Sequence, residues 1–430
     1  MAQSSPPTLK RMLTLPAVTI SGVGVILGAG IYALIGEAAM TAGNALWASF
    51  IFSALIASFT GLSYMELSSL FPEASAEFEY TRHPFGDLPA FVIGMMVTLS
   101  GIVGAATVAF GFAGYLNGVT GIPIVVAAFL LILGILAVLL TGIKQSAAVA
   151  IAFTLIEAAG LVGIILIGLP YLGSVNYLEA PGGISGIFVA AAIIFFAYQG
   201  FEEIVKLSDE AIEPEHTIPK ALILALIITI TLYILVSISI VSIAGWEVIA
   251  GSPNPFAMVA AGVFPSGYLL FTVIALFATA NTALLMLLSS SRIIYGMAKK
   301  GRIPAILGWV HPRQRTPWAA IALVVILSLL FLTLGNIRDV ALIANFTLFV
   351  TFAVINAAVI ALRFTDPLAR RLYRVPGTVG KIPIPALLGI LTCLFFLLQI
   401  GTEILLIGMG LVIVSFAIGW LTRPRESQAE

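Results

Sequence analysis

Glycine costs about 1 kcal/mol relative to alanine in a helix interior. Even so, the apolar stretch Gly22-Val23-Gly24-Val25-Ile26-Leu27-Gly28-Ala29-Gly30-Ile31-Tyr32 holds four glycines in nine residues. Such density has two physical uses. It can unwind a helix, so that the half-helix after the break offers bare N–H groups and a positive dipole end to an anion such as a carboxylate. It can also let helices pack closely. A second apolar run is interrupted at Phe195-Phe196-Ala197-Tyr198-Gln199-Gly200-Phe201-Glu202-Glu203, where carbonyls freed by unwinding could receive an ammonium group. Taken alone, Gln199 and Gly200 read equally well as a polar contact between helices; joined to the first break, they complete a site for a zwitterion. A third group able to do chemistry is Glu157, within Thr154-Leu155-Ile156-Glu157-Ala158-Ala159 and eleven residues after Ser146. A charge at membrane depth costs about 2.5 to 3.5 kcal/mol on insertion scales and marks a functional candidate. Glu157 could cycle a proton, help to hold a cation, or stay neutral and hydrogen-bonded between helices.

Other chemistries lack their residues. The three histidines, His83, His216 and His311, fall in hydrophilic loops, and neither His-x-x-x-His nor Gly-x-Ser-x-Gly occurs. A lone cysteine, Cys393, can build neither a metal site nor an internal disulfide. An intramembrane enzyme therefore has no candidate machinery.

The elements that must position these groups follow from composition. Of 430 residues, 60% are hydrophobic and 9% are charged, against about a quarter charged in a soluble domain. The mean hydropathy of +1.13 arises from separate apolar runs, each close to the roughly 20 residues a helix needs to cross a hydrocarbon core. Lipid offers backbone groups no partners, so the runs are helices; the period-two alternation of a membrane barrel is missing. Twelve spans are expected near 14–36, 45–70, 88–116, 123–141, 146–170, 185–205, 220–244, 267–296, 317–335, 339–362, 384–400 and 404–421. This division puts every basic residue except Arg338 on one side, which the positive-inside rule makes cytoplasmic, with both termini there. Met1 to Lys10, with Pro6 and Pro7, resembles no cleavable signal. The hydrophilic stretches Glu202 to Lys220, Lys299 to Arg315 and Arg363 to Lys381 are too short for soluble domains. One membrane domain is expected: a cytoplasmic segment 1–13, a five-helix set 14–170, a second set 185–362, two further helices over 384–421 and a cytoplasmic tail 422–430. The interrupted spans are the first of each five-helix set, the arrangement of an inverted-repeat transporter.

Several motifs in order carry a resemblance. Gly22 to Tyr32 resembles the opening motif of the amino acid/polyamine/organocation permeases. Ser63 to Pro72 with Glu77, Tyr80 and Phe85-Gly86 looks like that family's second-span exit, and Phe195 to Phe201 followed by Asp209-Glu210 is similar to its sixth-span signature. Asn281-Thr282-Ala283 through Ser291 to Ala298 and Gly301 resembles its eighth span. The likeness runs over nearly the whole chain and looks closest to the cationic amino acid transporter-like branch and its prokaryotic relatives.

The resemblance implies an all-α LeuT-type fold: a 5+5 inverted repeat with discontinuous helices 1 and 6 and two added C-terminal helices. It implies a substrate carboxylate at the amides of Gly28, Ala29 and Gly30. The amine would meet carbonyls near Ile26, Phe196, Ala197 and Gln199, within the segment that also holds Tyr198 and Gly200, and Phe196 would be an aromatic gate. Other branches carry Thr or Ser at Ala29, so that hydroxyl is absent here. Proton-coupled relatives often have lysine where Glu157 stands, while Glu202 aligns with an acid implicated in proton handling. The expected function is secondary active transport of a small amino acid across the cell membrane by alternating access. Coupling is expected to a proton, with sodium the other ion to consider and no further cofactor. An obligate exchanger and a non-transporting sensor are the rival readings. Expected partners are the amino acid and the bilayer. Arg292, Lys299, Lys300 and Arg302 are explained by topology rather than nucleic acid, and the loop Asn117 to Pro123 has no cysteine for a disulfide-linked subunit. Glu66, Glu77, Glu79, Arg82 and Asp87 are expected as gate salt bridges or a solvated face.

Overall fold

The structure, a computed structural model, describes residues 11–72, 76–141, 147–208 and 210–422, without the side chains of 147–153. Residues 1–10 and 423–430, within the ends expected to be cytoplasmic, and Lys144, Ser146 and Asp209 of the sequence reading lie outside the described residues. Among the described residues the regular structure is helical apart from a small antiparallel pair, Thr378–Val379 with Ile382–Pro383, and one isolated bridge. In chain order the helices are α1 (Leu15–Leu27), α2 (Gly30–Ala42), α3 (Leu46–Leu70), α4 (Ala76–Phe85), α5 (Asp87–Thr120), α6 (Ile124–Thr141), α7 (Ala147–Gly168), α8 (Gly183–Ile194) and α9 (Pro214–Ala244). They continue with α10 (Trp246–Ile249), α11 (Pro255–Ala261), α12 (Gly267–Lys299), α13 (Trp318–Leu332), α14 (Ile337–Thr365), α15 (Ile384–Leu397) and α16 (Thr402–Leu421).

Among the described residues nine helical stretches are long and apolar enough to cross a membrane, one of them, Gly30–Leu70, containing both α2 and α3. Three shorter apolar helices, α1, α13 and α15, complete the set. The first is short because its span is broken at Gly28. The other two finish in tighter turns, Gly335 N–H reaching Leu332 O at 3.1 Å and Gln399 N–H reaching Phe396 O at 3.0 Å, so the α-helical part understates the run. Large apolar side chains such as Leu130, Leu155, Ile227, Leu406 and Ile413 lie exposed on the outer helices, a surface suited to lipid rather than water. This is an integral membrane protein.

The broken helices sit at the centre. α2 packs against α8, while α1 packs against α9 and the short 3-10 helix Phe201–Leu207. Around them α3 packs on α9, and α5 packs on α12 and α14. At one end a parallel bridge joins Leu13 to Ala211, with Met12 and Leu13 N–H donating to Glu210 O at 2.9 Å and Ile212 N–H to Leu13 O at 2.9 Å. The outer ends of the two broken helices are thereby tied.

Candidate functional site

The first break is shorter than the glycine run. α1 is helical through Leu27, Gly28 leaves helical geometry at φ −34° and ψ −167°, and α2 starts at Gly30. Gly22 and Gly24 remain within α1 and serve packing: a methyl group on Gly22 would sit 2.5 Å from Ile204 Cδ1, and one on Gly24 would sit 1.9 Å from Thr154 Oγ1. Both uses of glycine thus occur, at different positions. In α2 the first intrahelical acceptor is Ala29 O, reached by Ala33 N–H at 2.9 Å. The N–H groups of Ala29, Gly30, Ile31 and Tyr32 precede it and point from the positive end of the helix.

The second break spans six residues. α8 stops at Ile194, Phe195–Tyr198 forms one 3-10 turn, Gln199 is extended, and Gly200 takes φ +119° before Phe201–Leu207 resumes. Glycine is required at 200 twice over, by this φ and because a Cβ would lie 2.8 Å from Val25 O. Carbonyls in the last turn of α8 receive side-chain donors from other helices, Ala191 O and Ile193 O in addition to the Phe195 N–H. Ser53 Oγ donates to Ala191 O at 2.7 Å, and Asn345 Nδ2 donates to Ala192 O at 2.6 Å and Ile193 O at 3.2 Å.

The two breaks lie against each other. A methyl group on Gly30 would sit 2.6 Å from Ala197 Cα, and the Tyr233 hydroxyl of α9 is 2.8 Å from Ile26 O and 2.9 Å from Ala197 O. One hydroxyl proton serves two carbonyls, one from each break. These are two of the carbonyls expected to receive an amine, and sequence reasoning did not find the tyrosine between them. Phe196 O accepts the Gln199 N–H at 3.2 Å. The Gln199 side chain donates to Ser100 Oγ at 2.8 Å, while its Oε1 is buried without a partner among the described residues. The Tyr198 side chain turns away to α3, its hydroxyl donating to Phe50 O at 3.1 Å. Phe196 packs near Gly104, at which a Cβ would be 3.5 Å from the ring and 3.0 Å from Met286 Sδ, an apolar wall beside the break. At the other side of Ala29, Thr282 of α12 accepts the Ala29 N–H at 3.1 Å. Ala29, Ala197, Tyr198 and Tyr233 are all buried, so the site is closed.

Glu157 is 2% exposed. Its backbone carbonyl accepts the Tyr32 hydroxyl at 2.9 Å, and its carboxyl faces the Asn281 carboxamide. Glu157 Oε1 and Asn281 Oδ1 are buried without partners among the described residues. Glu202, equally buried, accepts the Gly200 N–H at 2.9 Å. The charged groups acting on it are Glu203, Glu77 and Lys206, so the structure does not bring Glu202 and Glu157 into one pair. Lys206 pairs with Glu203, and Tyr64 donates to Glu77 at 3.3 Å. Burial pushes the Glu77 carboxyl above the usual carboxylate range, with Lys206 opposing and Glu203 reinforcing.

Each end of the assembly carries a polar latch. At one, Glu66 closing α3 receives Arg363 Nε at 2.9 Å, Arg363 NH2 at 2.5 Å and Val375 N–H at 2.8 Å. Arg371 Nε stands 3.1 Å from Glu66, an ion-pair contact at an angle outside hydrogen bonding. Its NH2 group instead donates to Leu362 O and Asp366 O at the end of α14. Arg302 pairs with Asp87 at 3.3 Å, and Arg82 with Glu79 at 2.7 Å. At the other end Asn44 donates to Glu179 at 2.9 Å and accepts Trp246 N–H at 3.1 Å.

Sequence reasoning missed Tyr233, Ser100 and Asn345 altogether, and it gave Asn281 and Thr282 a place in the eighth-span motif but no role at the site. The two asparagines were discoverable as polar residues inside apolar spans, whereas a Tyr, Ser or Thr there carries no comparable signal.

Comparison with known proteins bears on this arrangement. The sequence pattern of the family described as amino acid permease matches residues 13–418. The branched-chain amino acid permease BcaP of Bacillus subtilis is 29% identical over 458 residues, covering 99% of this chain and 96% of that protein. The methylthioribose transporter of the same organism is 28% identical, covering 92% and 90%. The vacuolar cationic amino acid transporter 4 of Arabidopsis thaliana is 28% identical, covering 84% of this chain and 65% of its own length. The family and these relatives are transporters, not enzymes.

Proposed function

This chain belongs to the amino acid permease family, and from that premise we propose that it is a secondary active transporter carrying a small, neutral amino acid across the cell membrane by alternating access. The observation that carries the reading is the meeting of two broken helices, where a methyl group on Gly30 would lie 2.6 Å from Ala197 Cα. Together they offer amide donors at Gly28, Ala29 and Gly30 and carbonyl acceptors at Ile26, Phe196, Ala197 and Gln199. Bare N–H groups at a helix start suit a carboxylate, and clustered carbonyls suit an ammonium. The apolar wall of Phe196, Met286 and Gly104 favours an uncharged side chain.

The layout proposed is twelve spans, with α1 and α2 forming the first and α8 with its 3-10 continuation forming the sixth, in a LeuT-type inverted repeat. The end with Glu66, Arg363 and Arg371 is proposed as cytoplasmic, because the basic residues collect there. The two latches would then open alternately. Coupling is assigned to a proton on Glu157, supported by its burial beside Asn281 and its unpartnered oxygen. Glu202 is assigned to holding the second break through Gly200.

Uptake into proteoliposomes tests this. Accumulation of a radiolabelled neutral amino acid under an inward proton gradient is the expected result. Exchange without accumulation would make the protein an exchanger, and binding without flux would make it a sensor.

A further inference from the structure

Serine and threonine inside apolar helices usually turn the hydroxyl back to a carbonyl three or four residues earlier. Thr279 of α12 does so, donating to Ala275 O at 2.6 Å, and Ser291 donates to Leu288 O at 2.8 Å. Thr282, one turn after Thr279, differs. Among the described residues its hydroxyl forms one hydrogen bond, as acceptor from Ala29 N–H at 3.1 Å. Its position is imposed by the break, since a Cβ on Gly28 would lie 2.9 Å from Thr282 Oγ1 and 3.3 Å from its Cγ2. A neutral side-chain oxygen therefore occupies the place at the start of α2 where a carboxylate oxygen would sit, and its own O–H is unused.

A hydroxyl is both donor and acceptor, so the same atom can serve two states. We propose that Thr282 is a specificity-determining residue of the binding site, a placeholder for the substrate carboxylate that becomes its ligand. In the empty protein its oxygen satisfies the buried Ala29 N–H, which cannot be left unpaired without cost. When an amino acid enters, the carboxylate takes the Ala29 N–H, and the Thr282 O–H turns to donate to that carboxylate. Ala29 carries no hydroxyl of its own, so Thr282 supplies this contact from α12. The inference rests on the transporter reading above. It adds a side chain from another helix that selects a carboxylate over an uncharged amide, since an anionic acceptor strengthens a hydroxyl donor about twofold in energy over a neutral one.

The test compares wild type with Thr282→Ser, Thr282→Val and Thr282→Ala in detergent. Each is titrated by thermal shift with the twenty proteinogenic amino acids, and with the amide of every amino acid that shifts the wild type. The expected result is a preference for acid over amide that falls about tenfold in Thr282→Val and persists in Thr282→Ser. Thr282→Ala keeps the measurement open should valine prevent folding, and is expected to lose the preference likewise. An unchanged preference in the variants lacking the hydroxyl, even with a lower melting temperature, overturns the proposal and leaves Thr282 as a brace for the break. A wild type that binds none of the twenty overturns the transporter reading itself, and the proposal with it.

Discussion

Gly30 and Ala197 stand so close that one added carbon on the glycine would lie 2.6 Å from the Ala197 Cα and 3.1 Å from its N. The obstacle is backbone, which cannot swing aside as a side chain can, so the two breaks are held in register by the absence of a Cβ.

Gly30→Ala should therefore force the breaks apart. Overpacking of this kind costs about 1 to 3 kcal/mol, and we expect a lower melting temperature together with loss of amino acid binding. Gly134→Ala on α6, where a Cβ meets nothing within 4 Å, should leave binding intact and raise stability by up to about 1 kcal/mol, the helix preference of alanine over glycine. Equal behaviour of the two variants would contradict the close-approach account.

Glu157→Gln keeps the shape and removes the ability to gain or lose a proton. Wild-type accumulation should depend on the proton gradient. The variant should lose that dependence and retain exchange of internal for external amino acid, measured by counterflow. Accumulation still driven by an acid outside would remove Glu157 from the coupling role.

The Glu66 latch joins one carboxylate to two guanidinium groups, Glu66 and Arg371 each having side chains 1% exposed. Glu66→Ala strands both positive charges, and breaking a buried pair by removing one partner costs roughly 3 to 5 kcal/mol. That end should open more readily. A cysteine placed at Ser100, in a background with Cys393→Ser, should be labelled faster by a water-soluble maleimide than in the intact latch.

Glu77 supplies a pH prediction with a defined sign. Its folded pKa is raised, first by burial, then by Glu203, against the pull of Lys206 and the Tyr64 hydrogen bond. The folded state then holds the proton more tightly than the unfolded state, so stability falls as pH rises from about 4.5 towards the raised value. Glu77→Gln should flatten this fall in melting temperature between acid and neutral pH. A wild type and variant with parallel profiles would show that Glu77 is not the group responsible.

Much of this protein follows from its order of residues. Lipid gives the backbone nothing to bond with, so run length and the placement of lysine and arginine announce membrane helices without reference to packing. The breaks at Gly28 and at Gln199-Gly200 were also legible, because only special residues tolerate an interrupted helix at depth. Chain order could not say which glycines unwind and which pack: Gly22 and Gly24 stay helical because Ile204 and Thr154 press on them. Nor could it pair the freed groups with partners. Ile26 O meets Tyr233 and Ala29 N–H meets Thr282, 207 and 253 positions away, while Glu157 and Glu202 stay in separate settings. Local sequence controls whether a peptide group is released from its helix. Only the packing of distant helices decides what then satisfies it, because that partner is chosen by proximity in space.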